Sequence, residues 1–92
     1  MGQFGGNAVE VTTNARRDLR KLPELVRARV IAALERLAAR GEGDVKALAG
    51  PDGELRLRVG EYRARFTLRD AVDGAPRVIV VLRVLHRREA YR

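Results

Sequence analysis

The sequence predicts an α+β domain, β-α-α-β-β-β, with a helical hairpin packed on one face of a small antiparallel sheet. Two observations carry this. Between residues 13 and 40 apolar residues recur at helical spacing, and from residue 54 to residue 85 the period switches to two. A third, the length of 92 residues, allows one hydrophobic core and no second. Residues 1–92 are therefore read as a single domain, with the glycine-rich residues 1–7 as a flexible N-terminal end.

Ala8–Thr12 (AVEVT) alternates and reads as a short strand. In TNARRDLRKL, Thr13 suits an N-cap, and Ala15, Leu19 and Leu22 follow at helical spacing. Pro23 suits the first turn of a second helix, PELVRARVIAALERLAARG, whose Val26, Val30, Ala33, Leu34 and Leu37 form one stripe and whose Gly41 supplies the stop. The short link around Pro23 makes the two helices an antiparallel hairpin. Residues 41–53 (GEGDVKALAGPDG) read as loop. Leu55, Leu57 and Val59 then share one face of a strand, as do Tyr62, Ala64, Phe66 and Leu68 of the next, with Gly60-Glu61 as a two-residue turn between them. After a loop over residues 70–76, RVIVVLRVL is apolar on both faces and reads as the buried strand of the sheet.

Composition narrows the function. The chain has no cysteine and a single histidine, which excludes disulfides, thiol catalysis and cysteine-based zinc sites. No cofactor and no metal are expected. No apolar run reaches the ~18 residues of a membrane span, and the first residues lack a basic region followed by an apolar one. The expectation is a cytoplasmic protein with no membrane partner. The net charge of +7 points to an acidic partner. It is unevenly spread. Residues 1–53 hold nine Lys/Arg against seven Asp/Glu, whereas residues 54–92 hold ten arginines against five acids and no lysine. Arginine presents a planar fork that pairs bidentately with phosphate.

The Gly60-Glu61 turn sets Arg58 opposite Arg63 and Arg56 opposite Arg65. Like charges directly opposite each other destabilise a sheet by roughly 0.2–1 kcal/mol per pair. A sequence chosen for stability alone would place Glu or Thr at some of these positions. The four arginines read as a platform for phosphates, against the plainer reading of a solvated sheet face. The chain ends in RVLHRREAYR, where His86, Tyr91 and three arginines follow the buried strand and a fourth, Arg83, lies in it. His86 is the one side chain of the tail whose ordinary titration range lies near neutral pH.

From RRDLRKLPELVRARV through LRLRVGEYRARF to VIVVLRVLHRREAYR, nearly the whole chain resembles the RelE-type toxins of the RelE/ParE superfamily. The last two segments are the specific ones. The resemblance implies a toxin of a type II toxin–antitoxin pair that cuts mRNA codons in the ribosomal A site. In that reaction the 2′-hydroxyl attacks the adjacent phosphate and leaves a 2′,3′-cyclic phosphate. It further implies Arg56, Arg63, Arg87 and Tyr91 as catalytic residues, His86 as an acid or base, and Lys46, Arg58, Arg65 and Arg88 as RNA-binding residues. Some members carry a lysine pair on the strand that here has Glu54 and Arg56. Arginine stays protonated in proteins, which argues against a general base at residue 56. The implied partners are the ribosome with its mRNA, and an antitoxin whose acidic or amphipathic segment wraps the domain and occludes the arginine face. The alternative is a ParE-type inhibitor of DNA gyrase without nuclease activity. A non-catalytic nucleic-acid-binding domain is the third reading.

Overall fold

The computed structural model describes residues 7–50, 53–70, 72–73 and 76–90. The N-terminal end read as flexible falls almost wholly outside them. The elements are β1 (Ala8–Val11), α1 (Thr13–Arg20), α2 (Glu24–Arg40), β2 (Asp44–Ala47), β3 (Leu55–Val59), β4 (Tyr62–Arg69), β5 (Val78–His86) and a single-turn α3 (Arg87–Ala90). They form a five-stranded sheet in the order β1-β5-β4-β3-β2, with β1 parallel to β5 and every other pair antiparallel. This is the α+β arrangement expected, with three differences, the first being that β1 runs parallel to β5 in a sheet expected to be antiparallel throughout. Asp44–Ala47 lies in the stretch read as loop, yet it pairs with β3 as an edge strand. Four residues between glycines, with only Val45 half-buried and packed on the core, give too short a pattern to register as period two. The chain also adds α3 directly to the end of β5.

Local chemistry sets the boundaries. The N-cap of α1 is Thr12 rather than Thr13: its Oγ1 accepts the Ala15 amide at 3.1 Å. Pro23 stands one residue before α2, as its N-cap. Gly41 ends α2 in the left-handed conformation, φ 71°, with its amide bonded to the Leu37 carbonyl at 2.8 Å. Gly60 takes φ 57° in the β3–β4 turn, the positive value that a two-residue hairpin turn requires.

The core lies between the helices and one sheet face. Val30, Leu34, Leu37 and Ala38 of α2 and Ala15 and Leu19 of α1 meet Leu57, Ala64, Phe66, Ile79, Val81 and Val84. Each fully buried Leu, Ile or Phe contributes about 1.5–3 kcal/mol, so an aliphatic core with one central phenylalanine suffices.

One irregularity positions the functional end of the sheet. Arg65 pairs with Arg83 and Phe66 with Val81, so Leu82 is an extra residue, a β-bulge. Strict alternation after Ile79 and Val81 would send Arg83 into the core. The bulge instead brings Val84 and His86 to the face occupied by Ala64 and Tyr62. Beyond Val11, where β1 ends, α1 and its cap supply the partners of β5. Thr12 Oγ1 donates to the Leu82 carbonyl at 3.0 Å, and the Asp18 carboxylate accepts the Val84 amide at 2.9 Å.

Candidate nucleic-acid interface

The register builds a row of cations across the face away from the helices. Lys46 pairs with Arg56, Arg56 with Arg65, and Arg65 with Arg83, so four basic residues stand opposite one another on four strands. The adjacent row runs Asp44, Arg58, Arg63, Leu85. The Arg58–Arg63 and Arg56–Arg65 pairs read from the sequence are both present.

Each arginine in the middle of this face is held differently. Arg63 is buried and donates from Nη1 to the Gly60 and Tyr62 carbonyls at 2.9 and 3.0 Å. Arg56 is mostly buried; its Nη1 lies 3.7 Å from the Asp44 carboxylate and 3.4 Å from the Asp44 carbonyl. Arg65 donates from Nε and Nη2 to Glu54. The Nε atoms of Arg56 and Arg63 are buried without a hydrogen-bond partner among the described residues. An unmade bond of this kind costs about 1–3 kcal/mol, a second sign that stability alone did not choose these residues. Arg56, Arg63 and Arg65 converge on one small gap that Leu48 and Ala90 also line. Helix α3 therefore reaches over the arginine cluster.

Arg87 opens α3. Its amide donates to the Glu61 carbonyl at 2.7 Å, and its Nε lies 2.8 Å from the Glu61 carboxylate. Arg63 and Arg87 are thus both anchored on the Gly60-Glu61 turn. Lys46, Arg58 and Arg88 are exposed. Tyr91, next after Ala90, lies outside the described residues.

His86 is not brought to the arginine gap. It packs edge-on against Tyr62, with ring centroids 5.4 Å apart and planes at 84°. Its Nδ1 accepts the Arg88 amide at 3.2 Å, which leaves Nε2 to carry the proton in the neutral ring. It lines a separate cavity of about 260 Å³ together with Asp18, Lys21, Arg83 and Glu89. The cause is the bulge, which shifts the residues after Leu82 to the other face.

Asp18, a residue the sequence reading leaves out of the site, is buried. It chelates Arg83, with Nε to Oδ2 at 2.8 Å and Nη2 to Oδ1 at 3.2 Å. That hydrogen bond raises the guanidinium pKa above its ordinary value, against the opposing effect of burial, and the Asp18 and Glu89 charges add to the rise. The signal was available: Ala15, Asp18, Leu19 and Leu22 stand at i, i+3, i+4 and i+7, so the carboxylate occupies an apolar-stripe position. Among the described residues no group of three or more His, Asp or Glu is placed to hold a metal ion. No described helix is long and apolar enough to cross a membrane.

Comparison with known proteins decides the family. Residues 9–91 match the family model described as the ParE toxin of the type II toxin–antitoxin system parDE. The chain belongs to that toxin family. Among solved structures it is similar to a chain of the RelBE2 toxin–antitoxin complex from Mycobacterium tuberculosis, at 34% identity and a TM-score of 0.71 over 89% of this chain and 99% of that one. It is also similar to a chain of the RelB–RelE complex from Methanococcus jannaschii, at 27% identity and a TM-score of 0.65, with 88% and 93% covered. The RelE–RelB complex from Pyrococcus horikoshii shares the fold, at 22% identity and a TM-score of 0.68 over 91% and 98%. No curated protein matches. The toxin of a type II pair in the RelE/ParE superfamily, expected from the residues, is therefore established at that level. The family description carries the ParE name, while the solved relatives are RelE complexes.

Proposed function

We propose that this toxin is a ribosome-dependent mRNA endonuclease acting in the cytoplasm, needing no cofactor. The observation that carries the reading is the convergence of Arg56, Arg63 and Arg65 on one gap beneath Ala90 of α3, with Arg87 anchored on the adjoining turn.

RNA brings its own nucleophile. The 2′-oxygen forms a bond to phosphorus, the bond to the 5′-oxygen breaks, and the products are a 2′,3′-cyclic phosphate and a 5′-hydroxyl. The protein must align the attacking oxygen, stabilise the dianionic phosphorane and favour protonation of the leaving oxygen. Arg56 and Arg63 are donors for the phosphate oxygens, and Arg63 is preorganised because Nη1 is already fixed on two carbonyls. Arg87 stabilises the leaving oxygen. Tyr91 stacks on a base, a contact of about 1–3 kcal/mol in single-strand binders. Lys46, Arg58, Arg65 and Arg88 hold RNA by charge. His86 lines the other cavity, and the arginines around the gap stay protonated and are poor bases. The order and the base then come from the ribosomal site, which makes cleavage ribosome-dependent.

A cognate antitoxin is the second partner, since the solved relatives are toxin–antitoxin complexes. Its acidic or amphipathic segment covers the arginine face.

The test is primer extension on an mRNA in a translating extract, with the wild type and Arg87→Ala. New 5′ ends within A-site codons, absent for the variant and on naked RNA, support the proposal. The ParE description of the matched family favours one other reading, a gyrase inhibitor. Inhibition of supercoiling with no new RNA ends would establish that reading instead.

A further inference from the structure

Among the described residues, three carboxylates approach the arginines of the cation row, and they are not equivalent. Asp18 holds Arg83 and a backbone amide together. Asp44 stands 3.7 Å from Arg56. Glu54 alone closes tightly on an arginine of the gap: Nε of Arg65 at 2.9 Å and Nη2 at 2.5 Å both point to one oxygen, Oε2. We propose that Glu54 is an internal competitor for Arg65, occupying its guanidinium in the free protein and yielding it when a polyribonucleotide binds. Glu54 thereby sets the affinity of RNA binding. The inference rests on the reading of the arginine face as an RNA interface.

The geometry favours exchange. Two donors converging on one oxygen do not make the two parallel bonds of a fork-to-fork pair, whereas a phosphate offers separate oxygens to each donor. The Arg65 side chain is 34% exposed and that of Glu54 20%. A partly exposed pair of this kind is weak and screened by salt. A cavity of about 90 Å³, lined by Leu48, Ala49, Gly50, Glu54 and Arg65, opens beside it. An anion can therefore enter without disturbing the core. The backbone of Glu54 stays in place meanwhile, because its carbonyl accepts the Leu48 amide at 3.0 Å. Only the side chain must swing.

Displacement frees one arginine on the cluster, and replacing Glu54 with Gln should do the same permanently. Arg65 reaches a phosphate in both proteins, so the dependence of log K on log salt is nearly the same. The variant is spared the breaking of a partly exposed ion pair, a gain of up to about fivefold in affinity near 0.1 M salt. The control is Glu42→Gln, which removes the same charge from an exposed pair with Arg40 at 3.9 Å.

The experiment is fluorescence anisotropy of a labelled single-stranded oligoribonucleotide with the full chain across a salt series. The variants are wild type, Glu54→Gln, Glu42→Gln, Arg65→Gln and the Glu54→Gln/Arg65→Gln double, with circular dichroism to verify folding. Glu54→Gln should bind about two- to fivefold tighter than Glu42→Gln near 0.1 M salt, with nearly the same slope, and the gain should vanish in the Arg65→Gln background. Equal affinities for Glu54→Gln and Glu42→Gln, or a gain that persists without Arg65, would overturn the proposal while wild-type RNA binding leaves the interface standing. Absence of RNA binding by every variant at low salt would overturn the interface reading, and the proposal with it.

Discussion

Removing the carboxylate of Asp18 should loosen the joint between α1 and β5 at the level of the bulge. Two interactions are lost in Asp18→Ala. The Val84 amide, which donates to Asp18 Oδ2 at 2.9 Å in a buried position, loses its acceptor. An unsatisfied buried donor costs about 1–3 kcal/mol. Arg83 loses its counter-ion, but its side chain is 43% exposed, so water compensates and this part is worth under about 1 kcal/mol. The expected total is about 2–3 kcal/mol. Asp18→Asn keeps an oxygen for the Val84 amide and should cost about 1 kcal/mol. Urea denaturation reads this directly: with an m-value of about 1–1.5 kcal/mol/M, the Ala variant should lower the midpoint by about 2 M and the Asn variant by less than 1 M. A loss below about 0.5 kcal/mol for Asp18→Ala would refute the reasoning. So would equal losses for Ala and Asn, because the amide bond would then contribute nothing.

Thr12→Ala should cost about 1–2 kcal/mol, since the hydroxyl both accepts the Ala15 amide and donates to the Leu82 carbonyl; Thr12→Ser should stay near wild type, and thermal melting checks both. Phe66→Ala removes the largest fully buried side chain and should cost about 3–5 kcal/mol, read as a lowered urea midpoint. Lys46→Ala and Arg58→Ala alter exposed cations; each should flatten the salt dependence of RNA binding by about 0.7 in slope without lowering stability, since each removes one member of a like-charge cross-strand pair. A change of slope with neither would remove these residues from the interface.

Much of the fold was legible because its signals are local and periodic. The stripe of α2, the Gly41 stop and the β3–β4 register follow from spacing and one turn, and the Arg56–Arg65 and Arg58–Arg63 pairs followed with them. What escaped depends on contacts distant in sequence. The β2 edge exists because β3 offers it a partner, not because DVKA has a strong pattern of its own. The bulge at Leu82 is stabilised by Thr12 and Asp18, about seventy residues away in sequence, so alternation alone could not place His86. One residue of register therefore decides that His86 faces the other cavity and not the arginine gap. The carboxylates that neutralise the arginines, Glu54 and Asp44, come from the loop before β3 and from β2. A reading that counts charges along one strand does not see them.

The most direct test of the central claim is single-turnover cleavage of an A-site codon on programmed ribosomes by the wild type and by Arg56→Gln. The account predicts cleavage ending in a 2′,3′-cyclic phosphate, with the variant slower by about 10²–10³-fold, the usual effect of losing one transition-state donor. An intact codon under saturating wild-type toxin, or an Arg56→Gln protein that cuts as fast as wild type, would contradict it.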